Sequence, residues 1–186
     1  MQKRQAVFLD LQGTLGGDGL GHILDFSFFP FVAPALQILN GADWLVIIVT
    51  NQSHIAKGKL THGQYEEKIK MLRDELAEQG ARVDAVYCCP HSAADGCSCK
   101  KPLPGMLLQA RQDFNLDLAK CYVVGDIGAN DMVLAQAVGA KGVLVLTGVG
   151  KGSLHEYRKE WAHIEPDFVA ADVLEAAQWI VEHQAD

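Results

Sequence analysis

The sequence predicts an α/β fold, a parallel sheet with helices on both faces. Three observations lead there: short apolar or β-branched runs recur along the 186 residues, helical patterns fall between them, and polar residues stand where several runs end. Strands that alternate with helices need crossover connections, and crossovers produce parallel pairing. With 49% hydrophobic and 21% charged residues, the chain can bury one ordinary core, so a single domain over residues 1–186 is expected.

The elements follow in order. The first strand is Ala6 to Leu9, ending at Asp10, and the second is Leu45 to Val49, ending in Thr50-Asn51-Gln52-Ser53. Ala85 to Tyr87, Tyr122 to Val124 and Val143 to Leu146 continue the series, and Phe168-Val169 offers a sixth. The clearest helix starts after Thr61, which forms a capping box with Gln64, and aligns Tyr65, Ile69, Leu72 and Leu76 before Gly80 stops it. Pro104 suits the first turn of a helix running to about Phe114, and Asp172 with Glu175 opens the last one.

Bulk properties narrow the partners. A formal charge of -7 gives no broad basic surface, so nucleic acid is not expected, and an anionic small molecule would be held by a few local cations. The greasy stretch Ile23 to Leu39 is interrupted by Asp25, Pro30 and Pro34, too soon for a membrane span. Only four apolar residues separate Gln5 from Asp10, which is short for a signal-peptide core. A cytoplasmic monomer is the expectation.

Ligands of open parallel sheets bind outside the carboxyl ends of the strands. Asp10, the Thr50 to Ser53 segment and Gly125-Asp126 all stand there and should converge. A carboxylate can attack phosphorus and split a hydrolysis into two easier steps. Mg²⁺ between Asp10 and Asp126 would remove their mutual repulsion and neutralise phosphate charge. Thr50 brings a hydroxyl, Asn51 a backbone donor and Lys101 a cation.

Asp10-x-x-Gly13-Thr14, Thr50, Lys101-Pro102 and Gly125-Asp126 followed by Asn130-Asp131 together resemble the four motifs of the haloacid dehalogenase superfamily. Within it, the segments Thr50 to Lys59, Cys89-Pro90-His91 and Cys97 to Leu107 are similar to the heptose 1,7-bisphosphate phosphatases, with histidinol-phosphate phosphatases sharing much of the pattern. The resemblance implies a Rossmann-like, capless domain that hydrolyses a phosphomonoester with Mg²⁺ through an aspartyl phosphate. By matched position it implies Asp10 as nucleophile and Thr50 and Lys101 as phosphate holders. Mg²⁺ would be held by Asp10, Asp126 and the backbone carbonyl of Gln12, with Asp131 in support. Thr14, Asn51, Gln52 and Lys100 are candidates for holding the substrate, a small sugar phosphate. Lys100 stands where the heptose enzymes have arginine, and Asp131 lies one residue farther from Asp126 than in them.

The departure that bears most on catalysis is at position 12. The family carries an aspartate two residues after the nucleophile, protonating the leaving oxygen and then activating water, and this chain has Gln12. An amide cannot shuttle a proton, and general acid–base catalysis contributes on the order of 10² to 10⁴ in rate. Three explanations stay open: proton transfer by His22 or His54, a substrate with a good leaving group, or a protein that binds phosphorylated ligands with little turnover. A receiver-like signalling domain, which also phosphorylates a strand-end aspartate, fits the motif order less well.

Four ligand-type residues, Cys89, His91, Cys97 and Cys99, fall within eleven positions. A Cys₃His set suits closed, tetrahedral structural Zn²⁺. Pairs separated by one residue leave a disulfide or free thiols open, and the similarity to the heptose phosphatase loop favours zinc over the 89–99 loop. Cys88 and Cys121 are expected as buried strand residues. Gly148 to Ser153 lacks the spacing of a phosphate loop and is expected as a strand exit, and the glycines of Gly16 to Gly21 as a mobile substrate loop.

Overall fold

A computed structural model of the chain describes residues 3–19 and 21–183. Met1, Gln2 and Leu20, the last of these in the glycine-rich stretch, lie outside the described residues. Six strands form one sheet: β1 (Ala6–Leu9), β2 (Leu45–Asn51), β3 (Ala85–Cys89), β4 (Tyr122–Gly125), β5 (Lys141–Val145) and β6 (Phe168–Ala170). Their order is β3-β2-β1-β4-β5-β6 and every pairing is parallel. Expected strand positions hold, with ends shifted. β2 runs two residues farther, through Thr50 and Asn51, and β5 begins at Lys141.

Among the described residues, five α-helices connect the strands, α1 (Val32–Gly41), α2 (His62–Glu78), α3 (Gly105–Phe114), α4 (Gly128–Val138) and α5 (Gly150–Leu154), and α6 (Val173–Glu182) follows β6. One face of the sheet packs Val7, Leu9, Val46, Ile48 and Val124 against α1, α2 and α6. The other packs Phe8, Ile47, Val49 and Val123 against Met106, Leu107 and Ala110 of α3 and Leu134 of α4. Alternate residues of each strand therefore reach two cores. A strand buried on both faces reads as an unbroken apolar run, as β1 does.

The start signals act as expected. Thr61 accepts from Gln64 N while the Gln64 side chain accepts from Thr61 N, and Asp172 accepts from Leu174 N and Glu175 N. Pro104 is the N-cap of α3 instead of its first helical residue. The interrupted stretch after Ile23 contains α1, whose third residue is Pro34. A proline in the first turn removes only an N–H that has no intrahelical partner, so the helix accommodates it. Among the described residues no helix is long and apolar enough to cross a membrane.

The order of strand addition reverses at β1: successive strands run outward to β2 and β3, then continue on the other side from β4. Diverging crossovers leave a crevice at the carboxyl ends of β1 and β4, the usual ligand position in such sheets. Asp10 and Asp126 are the residues that follow those ends.

Candidate active site

Register brings the two aspartates together. Leu9 pairs with Val124, so Asp10 and the Gly125-Asp126 pair leave adjacent strands side by side, and Asp10 N donates to Val124 O at 2.9 Å. The turn after Asp10 needs Gly13. Its φ is +89°, and a Cβ there would meet Asp126 Oδ2 at 2.2 Å. Thr14 then directs its buried hydroxyl between the carboxylates, 3.2 Å from Asp10 Oδ2 and 3.3 Å from Asp126 Oδ1.

Lys101 arrives from the long connection after β3. Asn51, at the end of β2, clamps its backbone: Lys101 N donates to Asn51 Oδ1 at 3.0 Å, and Asn51 Nδ2 donates to Lys101 O at 3.2 Å. The lysine Nζ donates to Asp10 Oδ1 at 2.6 Å and to Asp131 Oδ1 at 2.8 Å, and the residue is only 4% exposed. Asp131 lies in the first turn of α4, where its Oδ2 accepts from Ile127 N at 3.1 Å. A negative charge at that end of a helix is favourable.

The cluster is short of positive charge. One oxygen each of Asp10, Asp126 and Asp131 lies within 4.8 Å of the others, all three residues are buried, and one ammonium serves them. Burial, then Asp10 and Asp131, pushes the Asp126 carboxyl up to about 8, against the pull of the Val149 N–H and Lys101. Burial also raises Asp131 to about 6 although Lys101 opposes it. Burial pulls the Lys101 ammonium toward its neutral form, and the two carboxylates more than reverse that, leaving it raised.

Crowded carboxylates that resist ionisation suit a hard divalent cation, which takes oxygen ligands. Gly19 lies beside these oxygens: a Cβ there would stand in ordinary contact, 3.4 Å from Asp126 Oδ2 and 3.7 Å from Gln12 O. These residues fit Mg²⁺ by donor chemistry and by charge.

Gln12 is held at both ends. Its Nε2 donates to Gly21 O at 2.7 Å and its Oε1 accepts from Gln52 Nε2 at 2.8 Å, while that same Gln52 nitrogen reaches Thr50 Oγ1 at 2.9 Å. Gly16 bridges to Gln12 and Phe28, and Gly17 N donates to Ser27 O. These bonds attach Gly16, Gly17 and Gly21, part of the stretch expected as a mobile substrate loop, to Gln12, Ser27 and Phe28. His22 and His54 stack with ring centroids 4.8 Å apart, and His22 bonds Leu24 N through Nδ1 and approaches Lys59 O through Nε2 at 3.2 Å.

The second cluster gathers Cys89, His91, Cys97 and Cys99, one ligand atom of each within 4.8 Å of the rest. Cys89 Sγ lies 3.7 Å from Cys97 Sγ and 3.7 Å from His91 Nδ1. Zn–S bonds of about 2.3 Å in a tetrahedron separate sulfurs by roughly 3.8 Å; the Cys89–Cys97 pair has that spacing, and Cys99 Sγ stands closer, 3.1 Å from Cys89 Sγ. Burial with the neighbouring thiols pushes Cys89 up to about 12, whereas Cys97, despite desolvation, is held down at about 7 by the Lys100 and Cys99 backbone N–H groups. All five cysteines are free thiols.

The structure thus unites Asp10, Thr14, Lys101, Asp126 and Asp131, with Thr50 and Gln52 joined to Gln12 beside them. Lys100 is half-buried next to the Cys/His loop. Cys121 is buried but precedes β4, and Cys88 is only partly buried because β3 is an edge strand, so neither is the buried strand residue expected. Gly148 to Ser153 was underestimated by pattern. Val149 N donates to Asp126 Oδ2 at 2.9 Å, Ser153 Oγ donates to Asp126 O at 2.7 Å, and a Cβ on Gly148 would lie 2.1 Å from Asp126 Oδ2. Its only signal was three glycines in five residues, which also describe an ordinary loop.

A strand-end aspartate at the switch point, a buried lysine bonded to it and two further aspartates after β4 thus share one crevice. A family profile described as HAD-hydrolase-like matches residues 98–176. Among curated relatives, the D-glycero-β-D-manno-heptose-1,7-bisphosphate 7-phosphatase of Yersinia pestis is 38% identical over 170 residues, covering 86% of this chain and 90% of the relative. The protein of that name from Escherichia coli K12 is 41% identical over 154 residues, covering 77% and 80%. The chain belongs to the haloacid dehalogenase-like phosphatases, in the branch of these relatives. The crystal structure of D,D-heptose 1,7-bisphosphate phosphatase from B. bronchiseptica, complexed with magnesium and phosphate, superposes with a TM-score of 0.86 at 30% identity, over 96% of this chain and 98% of that one.

Proposed function

We propose that this chain hydrolyses the phosphomonoester of a small sugar phosphate, of the heptose bisphosphate kind, through an aspartyl phosphate on Asp10. The observation that carries the reading is the buried Asp10–Lys101–Asp131 bridge beside Asp126. Lys101 and Thr14 hold the Asp10 carboxylate in one orientation, which lowers the cost of reaching an attacking geometry. Thr50 and Lys101 stand ready to hold phosphate oxygens, with Asn51, Gln52 and Lys100 on the substrate side.

Mg²⁺ would be held by Asp10, Asp126 and the Gln12 carbonyl, with Asp131 supporting, and when bound it would offset the negative charge of carboxylates and phosphate. Zn²⁺ on Cys89, His91, Cys97 and Cys99 would order the loop that delivers Lys101. The relatives' names and the magnesium and phosphate bound in the crystallised neighbour support the reading. Gln12 in the acid–base position makes turnover slow. A phospholigand-binding role with little turnover is the second reading, favoured by the engagement of both ends of the Gln12 amide.

The test is phosphate release from p-nitrophenyl phosphate and from heptose 1,7-bisphosphate with Mg²⁺, with Asp10→Asn as the blank. Release that the variant abolishes is expected. Phosphate-competitive binding without release would replace this reading with the second.

A further inference from the structure

We infer that this site selects substrates by their leaving group, favouring phosphates whose departing oxygen is weakly basic, such as acyl and aryl phosphates, over esters of ordinary alcohols. The inference rests on the hydrolase reading above: the sugar ester of that reading, an ester of an ordinary alcohol, is its slow substrate, and the inference adds which phosphates the same site turns over faster. When phosphorus is transferred, the electron pair of the breaking P–O bond goes to the leaving oxygen. A strongly basic oxygen needs a proton from a positioned acid, and a weakly basic one departs without it.

The side chains around Asp10 are committed elsewhere. Lys101 Nζ is shared between Asp10 and Asp131 and holds its proton there. Asp126 accepts from Thr14 Oγ1 and Val149 N, and Asp131 accepts from Ile127 N and Lys101, so these four oxygens face donors. Among the described residues, Gln12 and Gln52 join beside Thr50 at the β1 turn, and both are amides that carry no transferable proton. The Gln12 NH₂ points to the Gly21 carbonyl at 2.7 Å and its oxygen is filled by Gln52. His22 presents Nδ1 to Leu24 N and Nε2 to Lys59 O, which leaves neither ring nitrogen free.

The step balances without an acid. An Asp10 oxygen bonds to phosphorus as the bond to the leaving oxygen breaks; the leaving anion takes its proton from bulk water. Water then attacks the aspartyl phosphate, the P–O bond to Asp10 breaks, and the proton released goes to solvent. Product phosphate and the Asp10 carboxylate are restored.

The experiment is kcat/KM with Mg²⁺ for acetyl phosphate, p-nitrophenyl phosphate, phenyl phosphate and a hexose 6-phosphate, on wild-type protein and on Asp10→Asn, Gln12→Asp and His54→Gln. Wild type should favour p-nitrophenyl phosphate over the hexose ester by at least about 100-fold, the loss expected without a general acid. Gln12→Asp should narrow that gap at least tenfold by raising the hexose ester rate. Asp10-dependent turnover with similar rates across the series would overturn the leaving-group inference while keeping the hydrolase. If His54→Gln then steepened the series, His54 would be the missing donor. No Asp10-dependent release from any of the four would overturn the hydrolase reading itself, and the inference with it.

Discussion

Lys101 Nζ reaches Asp131 Oδ1 at 2.8 Å, so the end of the Cys/His loop is bonded to the first turn of α4. With its second bond to Asp10, the lysine joins parts of the chain that lie 91 and 30 residues away. Removing one partner of a buried ion pair costs about 3–5 kcal/mol, because the other charge is left unpaired. Lys101→Met should therefore lose about 3 kcal/mol in urea denaturation without divalent cation, together with at least 100-fold in kcat/KM. A variant as stable as wild type would show that the ammonium contributes little.

Asp126 and Asp131 make metal-free stability depend on pH in an unusual direction. Their folded carboxyls are raised, to about 8 and about 6, above the ordinary 3.8, so the folded state binds more protons than the unfolded chain between those values. Stability is then fully present at low pH, with respect to these groups, and lost as pH rises toward 8. Mg²⁺ competes with those protons. The thermal shift it produces should be larger at pH 8 than at pH 6, and proton uptake instead of release on Mg²⁺ addition would contradict the assignment.

Zinc, if bound, links the loop to the site. Elemental analysis after dialysis should find one zinc per chain, and Cys97→Ser or a strong chelator should release it and expose residues 90–100 to protease first. Because that loop leads into Lys101, activity should fall with the metal even when Mg²⁺ is saturating. Zinc far below one per chain would refute a constitutive site.

Asn51→Ala removes both side-chain bonds to the Lys101 backbone. At about 0.5–1.5 kcal/mol net for each bond, a loss of about 1–3 kcal/mol in stability is expected. A fall of about tenfold in kcat/KM should accompany it through misplacement of the lysine. Unchanged activity would mean that Pro102 and the Cys/His loop position Lys101 without Asn51.

Much of this was legible in the chain itself. β1 is an apolar run that stops at a carboxylate, and Thr61 and Asp172 state helix starts with local hydrogen bonds that need no tertiary partner. α1 was not read from the chain, since a proline within it is tolerated only because Phe31 begins the turn three residues before Pro34. The involvement of Gly148 to Ser153 was hidden because its contacts with Asp126 are made largely by backbone N–H and by the absence of a Cβ, features that residue type hardly encodes.

By itself the sequence determined the strand–helix alternation, the aspartate at the end of β1 and the four Cys and His residues within eleven positions, all set by periodicity, capping and spacing along the chain. Tertiary structure decided the rest. The β1–β4 register sets Asp10 against Asp126, the Asn51 clamp fixes the backbone of Lys101, and the Gln52 and Gly21 contacts engage the Gln12 amide at both ends. These are relations between distant segments, and burial gives them their strength: in a low-dielectric crevice an unpaired charge or unfilled donor is costly, so the fold, and not the local pattern, settles which groups meet.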